Sequence, residues 1–186
     1  MLSDLKVDGA ITATQLERHY QLSTLGAPAL SFIRTLSASK YDDRYQHAVI
    51  FTLSKGVTRL ATSSVLHLLG TTEMRQVLGA SSQDWTSSAH RAGATQIPDA
   101  LWASAAGEVA IEYDTGTYSF DTIRKKITVF SQYPGGIVWG TPSPRRAKRI
   151  AQLYPHVQTL CLGSLEDLCP RGCPEKEALR LQLRGD

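Results

Sequence analysis

The segment from Ile97 onward constrains the fold most, because its apolar residues take the spacing of a mixed sheet with helices. Two short runs with period-two spacing flank a turn at Ala106-Gly107, which predicts an antiparallel hairpin. A helical run, a compact run opened by glycines, a helix with Pro144 in its first turn and a last apolar run follow. This order predicts a small α/β sheet with helices on its faces. In chain order the runs are PDALWAS, EVAIEYD, TYSFDTIRKKITVFSQY, GGIVWGTP, SPRRAKRIAQLY and HVQTLCLGS.

The first seventy residues have the pattern of a winged helix-turn-helix. Thr12 and Gln15 predict a capping box at the start of a helix in AITATQLERHY. After a short break, APALSFIRTLSAS predicts a second helix, HAVIFTL a strand, and Ser54 caps a closing helix that ends at Gly70. The second helix of this motif lies in the DNA major groove and reads bases. The expected base-reading residues are Ser31, Arg34 and Thr35, and the expected phosphate contacts near the wing are Lys40 and Arg44.

Composition agrees with a globular protein and sets few further limits. The chain of 186 residues is 42% hydrophobic and 20% charged, without an apolar run long enough to span a bilayer. Its start lacks the pattern of a signal peptide, so we expect a cytoplasmic protein without a membrane partner. The net charge of +3 permits nucleic-acid binding. The densest basic cluster is either a DNA contact or a solvated helix face, and comprises Arg145, Arg146, Lys148 and Arg149.

Three acidic residues lie around the predicted hairpin. Asp99 starts one strand and Glu112 lies near the end of the next, so antiparallel pairing brings them side by side. Two carboxylates placed so are the ligands that Mg²⁺ or Mn²⁺ prefers, and such an ion activates water for attack on a phosphodiester. The alternative is that both acids cap strand ends or pair with nearby cations, namely Arg124, Lys125 or Lys126.

This arrangement resembles the PD-(D/E)xK nuclease fold. Pro98-Asp99 and the later Glu112 to Asp114 are similar to its signature, but Asp114 stands where that signature has lysine. Lys126 on the following helix, or Lys125, is expected to bring an ammonium group to the same place. If the site is catalytic, the expected residues are Asp99, Glu112, Asp114 and Lys126, with Asp99 and Glu112 as metal ligands.

A closer resemblance covers roughly residues 10 to 160. The segments IPDA, GEVAIEYDTGT, IRKKITVF and VWGTPSPRRAKRI, after a winged helix, resemble the replication-relaxation family of bacterial, often plasmid-borne, proteins. The resemblance implies a role in plasmid replication or DNA mobilisation. Phe130 departs from it mildly, since tyrosine is expected there. The residues carried over from the family pattern are Pro98, Asp99, Glu112, Asp114, Gly116, Thr117, Lys126, Phe130 and Arg146.

The predicted fold class is α+β. We expect a winged helix-turn-helix domain with its closing helix over 1–80 and a linker or loop over 81–96. A small α/β domain similar to restriction endonucleases follows over 97–165, and a charged tail over 166–186.

Three functions remain open at this point. The first is a double-stranded DNA-binding protein of plasmid or mobile-element replication or relaxation, whose nuclease-like domain serves dimerisation or contact with other replication or mobilisation proteins. The second is a Mg²⁺- or Mn²⁺-dependent DNA endonuclease or nickase, and the third a winged-helix transcriptional regulator. We favour DNA binding first and catalysis second, with a homodimer expected and no cofactor certain beyond the ion that catalysis would require.

Two other motifs carry weaker hypotheses. The run Asp114 to Thr117 matches an aspartic-protease tripeptide, but that chemistry needs two such loops sharing a proton. Zinc binding would use cysteines that lack the usual paired spacing, and Cys161 in a strand pattern suits a buried thiol better. Four further histidines have no spaced partner. The residues concerned are Cys161, Cys169, Cys173 and His156 for zinc, and His19, His47, His67 and His90 among the scattered histidines.

Overall fold

The computed structural model describes residues 1–37, 45–88 and 97–162, and within these ranges the chain is an α+β protein. The predicted fold class is confirmed at this level: five α-helices, a 3₁₀ turn and two sheets occur in the described residues. None of the helices in these ranges has the length and hydropathy needed to cross a bilayer.

The N-terminal part is built around a three-stranded antiparallel sheet with strand order β1-β3-β2. The predicted capping box is confirmed: Thr12 accepts the backbone N–H of Gln15, whose side chain accepts the backbone N–H of Thr12. The predicted strand in HAVIFTL is also confirmed, within β3. The elements are α1 (Leu2–Asp8), β1 (Ile11–Thr12), α2 (Ala13–Tyr20), β2 (Leu30–Ser37), β3 (Tyr45–Thr52), a 3₁₀ turn (Val57–Arg59) and α3 (Thr62–Leu78).

The predicted second helix is wrong, because residues 30–37 form strand β2. All eight residues pair with β3. Phe32 and Leu36 pack with the core below α3, whereas Ile33 is exposed on the opposite side, so the segment has the period of a strand. Long-range pairing therefore decided the structure of a segment whose apolar residues also suited a helix. The closing helix is α3. It runs from Thr62 to Leu78, whereas the sequence predicted a helix capped by Ser54 and ending at Gly70.

The C-terminal part is a five-stranded mixed sheet with the order β4-β5-β6-β7-β8. The predicted hairpin is confirmed as β5–β6, with Ala100 opposite Ile111, while β6, β7 and β8 run parallel. One strand, β4, lies inside the stretch predicted as a linker, of which residues 89–96 lie outside the described ranges. The elements are β4 (Trp85–Ser87), β5 (Ala100–Ser104), β6 (Gly107–Tyr113), α4 (Phe120–Phe130), β7 (Ile137–Thr141), α5 (Pro144–Leu153) and β8 (Val157–Cys161).

Helices cover both faces of this sheet: the two helices that alternate with its strands lie on one face, and a helix from the N-terminal part lies on the other. α4 and α5 pack on one face around Trp139 and Phe130, and α3 packs on the other through Met74. Two glycines let α3 approach closely: a Cβ at Gly70 would lie 2.3 Å from the ring of Tyr113, and one at Gly140 would lie 2.5 Å from the sulfur of Met74. The earlier part of α3 also packs on the three-stranded sheet, so one helix contacts both sheets.

Candidate functional site

The side chains of Asp99 and Glu112 lie side by side at the end of the five-stranded sheet where β5 begins and β6 ends. Asp99 directly precedes β5, and the pairing of Ala100 with Ile111 places it opposite Glu112 in β6. Of the two lysines expected to reach this place from α4, Lys126 does so. We call this group, together with His67 of α3 and Tyr118, the Asp99–Glu112 site.

Glu112 is a fully buried carboxyl with one ionic partner. The Nζ of Lys126 lies 2.5 Å from its Oε1, and the Glu112 side chain is 0% exposed. Its Oε2 is also buried and has no hydrogen-bond partner within the described part of the chain. Burial, and then the negative charge of Asp99, raise the pKa of Glu112 to about 8, against the opposing effect of Lys126. Glu112 therefore binds a proton much more tightly than an ordinary glutamate does.

Asp99 is more accessible, and both hydrogen-bond contacts of its side chain reach the same oxygen. The backbone N–H of Tyr113 donates to Oδ2 at 2.8 Å, and Nδ1 of His67 lies 3.4 Å from Oδ2. The Asp99 side chain is 23% exposed. Burial would lower the pKa of His67, but the hydrogen bond and charge of Asp99 and the charge of Glu112 outweigh burial and raise it.

Aromatic rings surround the ammonium group of Lys126. It lies 5.2 Å from the ring centroid of Tyr118 and 5.4 Å from that of Phe130. The Tyr118 ring lies 6.0 Å from that of His67 and packs edge-on against Trp139. Burial and then the charges of Glu112 and Asp99 raise the pKa of Tyr118, so its hydroxyl stays protonated and can donate a hydrogen bond.

Asp114, grouped with these acids from the sequence, has a different environment. It is fully buried, with Arg146 Nε 2.6 Å from its Oδ2 and the backbone N–H of Gly116 2.8 Å from its Oδ1. Arg146 also donates to the backbone carbonyl of Tyr118 and lies over the ring of Phe120. Both oxygens of Asp114 are thus engaged in holding the loop that carries Tyr118. A catalytic role for Asp114 stays a prediction.

The described residues that were proposed to contact DNA lie on α5 and on β2. On α5, Arg145, Lys148 and Arg149 are exposed, with Arg149 4.4 Å from the ring centroid of Phe120, whereas Arg146 is half-buried against Asp114.

On β2, Arg34 donates to the backbone carbonyls of Thr58 and Leu60, and the exposed Ser31 and Thr35 lie on the opposite side of the strand. These three residues belong to no reader helix, and their DNA contacts stay predictions. Lys40 and Arg44 lie outside the described residues.

Two metal sites were considered from the sequence, one for Mg²⁺ or Mn²⁺ and one for zinc. Within residues 1–37, 45–88 and 97–162, no group of three or more His, Cys, Asp or Glu side chains is placed to hold a metal ion. The pair of Asp99 and Glu112 still fits a hard cation that keeps several waters, because the buried Oε2 of Glu112 lacks a partner. For zinc, Cys161 is a free, half-buried thiol in β8, and Cys169 and Cys173 lie outside the described ranges.

Reasoning from sequence missed two residues of this site, His67 and Tyr118. His67 was grouped with scattered histidines because its partner, Asp99, lies 32 residues away in the chain. Tyr118 directly follows the Asp114 to Thr117 motif, and a tyrosine between an acidic strand end and a lysine-bearing helix was the one available signal.

Comparison with known proteins identifies one match. The family model described as replication-relaxation matches residues 1–142 of the 186-residue chain. Asp99, Glu112 and Lys126 lie inside the matched range, whereas helix α5 begins after it. Neither the search of curated proteins nor that of solved structures finds a match.

Proposed function

The chain belongs to the replication-relaxation family, as its sequence predicted, and from this we propose that it acts on DNA during replication or relaxation of a plasmid or other mobile element. We propose further that the Asp99–Glu112 site cleaves a phosphodiester bond with the help of Mg²⁺ or Mn²⁺. The sequence alone favoured a non-catalytic domain. The structure favours the catalytic alternative because of the environment of Glu112.

One observation carries this proposal: a buried carboxyl with an unpartnered oxygen lies beside a second, accessible carboxylate. A buried polar atom without a partner costs roughly 1–3 kcal/mol, so native proteins retain few of them. Strongly shifted pKa values next to specific charges are concentrated at functional sites. A ligand that bridges Glu112 Oε2 and Asp99 would relieve both the missing contact and the repulsion between the two acids.

The proposed roles follow from the chemistry of each side chain. Asp99 and Glu112 would hold the cation, which when bound supplies an activated water and neutralises phosphate charge. Lys126, held by Glu112 and the two aromatic rings, contributes a positive charge for the phosphate in the transition state. The protonated hydroxyl of Tyr118 interacts with the Glu112 side chain and supplies a hydrogen-bond donor beside it.

DNA binding is supported by a second surface, the exposed cations of α4 and α5. Both helices lie on the sheet face to which Lys126 belongs. Lysine and arginine side chains on such a face bind phosphates, and counterion release makes that binding sensitive to salt. The exposed cations of this surface, which we call the α4–α5 basic face, are Arg124, which pairs with Asp121, and Lys125, Arg145, Lys148 and Arg149.

A non-catalytic DNA-binding protein is the second candidate function. The observation that favours it is the Asp114–Arg146 pair, since an acid that the family pattern selects serves here as an internal anchor. In this case the Asp99–Glu112 site would bind a ligand or partner without breaking a bond.

The first experiment measures nicking of a supercoiled plasmid in Mg²⁺ and in Mn²⁺. We expect the wild type to nick the plasmid, and Glu112→Gln and Asp99→Asn each to lower the rate by at least about 100-fold, since each removes a charge that the transition state requires. Asp121→Asn is the matched control, because Asp121 is an exposed carboxylate at the start of α4. Metal-independent nicking, or full activity in both variants, contradicts the catalytic proposal.

A gel-shift titration at several salt concentrations tests DNA binding separately. The triple variant Arg145→Ala, Lys148→Ala, Arg149→Ala should bind duplex DNA more weakly. The slope of log binding constant against log salt concentration should be smaller in magnitude by about one for each lost phosphate contact. Lys55→Ala with Arg59→Ala removes two exposed cations beside the 3₁₀ turn and serves as the comparison. Equal losses in both variants would exclude the α4–α5 basic face as the main contact.

A further inference from the structure

We infer that His67 is a positioning residue of the Asp99–Glu112 site: it orients the carboxylate of Asp99 so that one oxygen remains available to a divalent cation. The inference rests on the proposed function, since it names a residue that supports the same site. It also makes helix α3, which contacts both sheets, a component of that site.

The hydrogen bonds to Asp99 define what His67 does. Its Nδ1 lies 3.4 Å from Oδ2 of Asp99, the oxygen that also accepts the backbone N–H of Tyr113 at 2.8 Å. A carboxylate oxygen only accepts hydrogen bonds, so Nδ1 of His67 carries the proton in this contact. Two donors on Oδ2 restrain rotation of the carboxylate, and no described residue occupies Oδ1.

The packing of α3 places His67 where this contact forms. Gly70, one turn later in the helix, has no Cβ, and the ring of Tyr113 takes that space. The His67 ring packs edge-on against Tyr113 at 6.2 Å and lies 6.0 Å from Tyr118. Rings on two sides therefore hold the imidazole, and a held imidazole loses little further entropy when it binds Asp99.

Orientation of a ligand by a neighbouring donor has a measurable effect on metal binding. Removal of a hydrogen-bond partner of a metal-ligating side chain typically lowers metal affinity or activity by about 10–100-fold. The contact of His67 with Asp99 is longer than that of Tyr113, so we expect the lower half of this range.

The test is Mn²⁺ affinity of the full chain, measured by electron paramagnetic resonance of free Mn²⁺, for three variants of His67. The amide nitrogen of asparagine lies near the position of Nδ1, so His67→Asn should retain most of the affinity. His67→Ala and His67→Gln, which lack a donor there, should each lose about 10-fold or more. His156→Ala is the control, because His156 is an exposed histidine beside β8. Thermal melts confirm that each variant is folded.

Plasmid nicking by the same variants supplies the second measurement. A positioning role predicts that His67→Ala lowers kcat in Mn²⁺ more than it raises KM for DNA, with recovery in His67→Asn. Wild-type affinity in His67→Ala overturns the inference, and so does retention by His67→Gln with loss in His67→Asn. If the wild type binds Mn²⁺ but cleaves nothing, cleavage has failed as the proposed function, and the order of affinities still decides the role of His67. A wild type that does not bind Mn²⁺ overturns both.

Discussion

Two buried glutamates, Glu73 of α3 and Glu112 of β6, both face cations but have opposite electrostatic environments. Oε2 of Glu73 is approached by three side chains: Arg18, His19 Nε2 at 3.1 Å and Gln15 Nε2 at 3.3 Å. Burial would raise the pKa of Glu73, but the hydrogen bond from His19 and the charges of Arg18 and His19 outweigh burial and lower it. Glu112 has one cationic partner and a raised pKa.

The comparison distinguishes a glutamate whose charge the surrounding side chains stabilise, Glu73, from one whose charge is poorly stabilised, Glu112. Around Glu73, donors from α2 outweigh the loss of hydration and lower its pKa. At Asp8, which pairs with Arg75 between α1 and α3, burial outweighs the pairing and raises the pKa. At Glu112 the lost hydration is only partly replaced, because Oε2 has no hydrogen-bond partner. The accessible Asp99 lies next to this carboxyl. The fold places three donors around Oε2 of Glu73 and engages both oxygens of Asp114, but it leaves Oε2 of Glu112 without a partner, which favours a ligand there over a purely structural role.

The largest expected effect is loss of stability when Glu73 is removed. Glu73→Ala leaves Arg18, His19 and Gln15 without their shared acceptor, and breaking a buried ion pair typically costs about 3–5 kcal/mol of unfolding free energy. Urea denaturation measures this change. A loss below about 1 kcal/mol would mean that the cluster is hydrated, and the contrast with Glu112 would disappear.

The second prediction concerns Glu112 and pH. Since the folded state raises the pKa of Glu112 from 4.5 to about 8, it binds the proton more tightly than the unfolded state does. The stability contributed by that proton is complete below pH 4.5 and is lost as pH rises through about 8. Glu112→Gln, which cannot ionise, should therefore gain roughly 3–4 kcal/mol relative to wild type between pH 5 and pH 9, because each unit of pKa shift is about 1.4 kcal/mol. Urea denaturation at both pH values checks this. A constant difference would show that Glu112 is already ionised at pH 5.

The third prediction tests the helix that joins the two regions. Gly70→Ala places a Cβ 2.3 Å from the ring of Tyr113, so α3 or the ring must move. Overpacking of this kind typically costs about 1–3 kcal/mol. The thermal midpoint should fall, and Mn²⁺ affinity should fall with it because His67 moves. Gly79→Ala is a poor control, since Gly79 has a φ of +66°, whereas Gly26 has open space around it and suits the comparison.

The smallest effect is expected at an exposed pair that sets the baseline. Arg124 and Asp121 on α4 form an ion pair with both side chains largely in solvent. Arg124→Ala should change the unfolding free energy by less than about 0.5 kcal/mol, because water screens the pair. A larger loss, measured by urea denaturation, would show that α4 depends on its surface charges. Buried ion pairs would then not be the main charged contributors to stability.

Local patterns predicted much of the fold. The cap of α2, the first turn of α5, the β5–β6 hairpin and helices α4 and α5 follow from a capping box, Pro144 and apolar spacing. The family resemblance is confirmed as well. The failure at residues 30–37 has a physical cause: Ile33 and Leu36 satisfy a helical pattern, and only pairing with β3 distinguishes the strand.

The sequence by itself determined the α+β class and, through its motifs, the family. It also determined that Asp99, Glu112 and Lys126 lie close together, because hairpin register and helix spacing act over few residues. Only the tertiary structure decided which acids are available. Arg146 engages Asp114, whereas Glu112 keeps a free oxygen, and His67 reaches Asp99 from a helix in the other half of the chain. These differences depend on burial and on contacts between residues distant in sequence, which local periodicity does not encode.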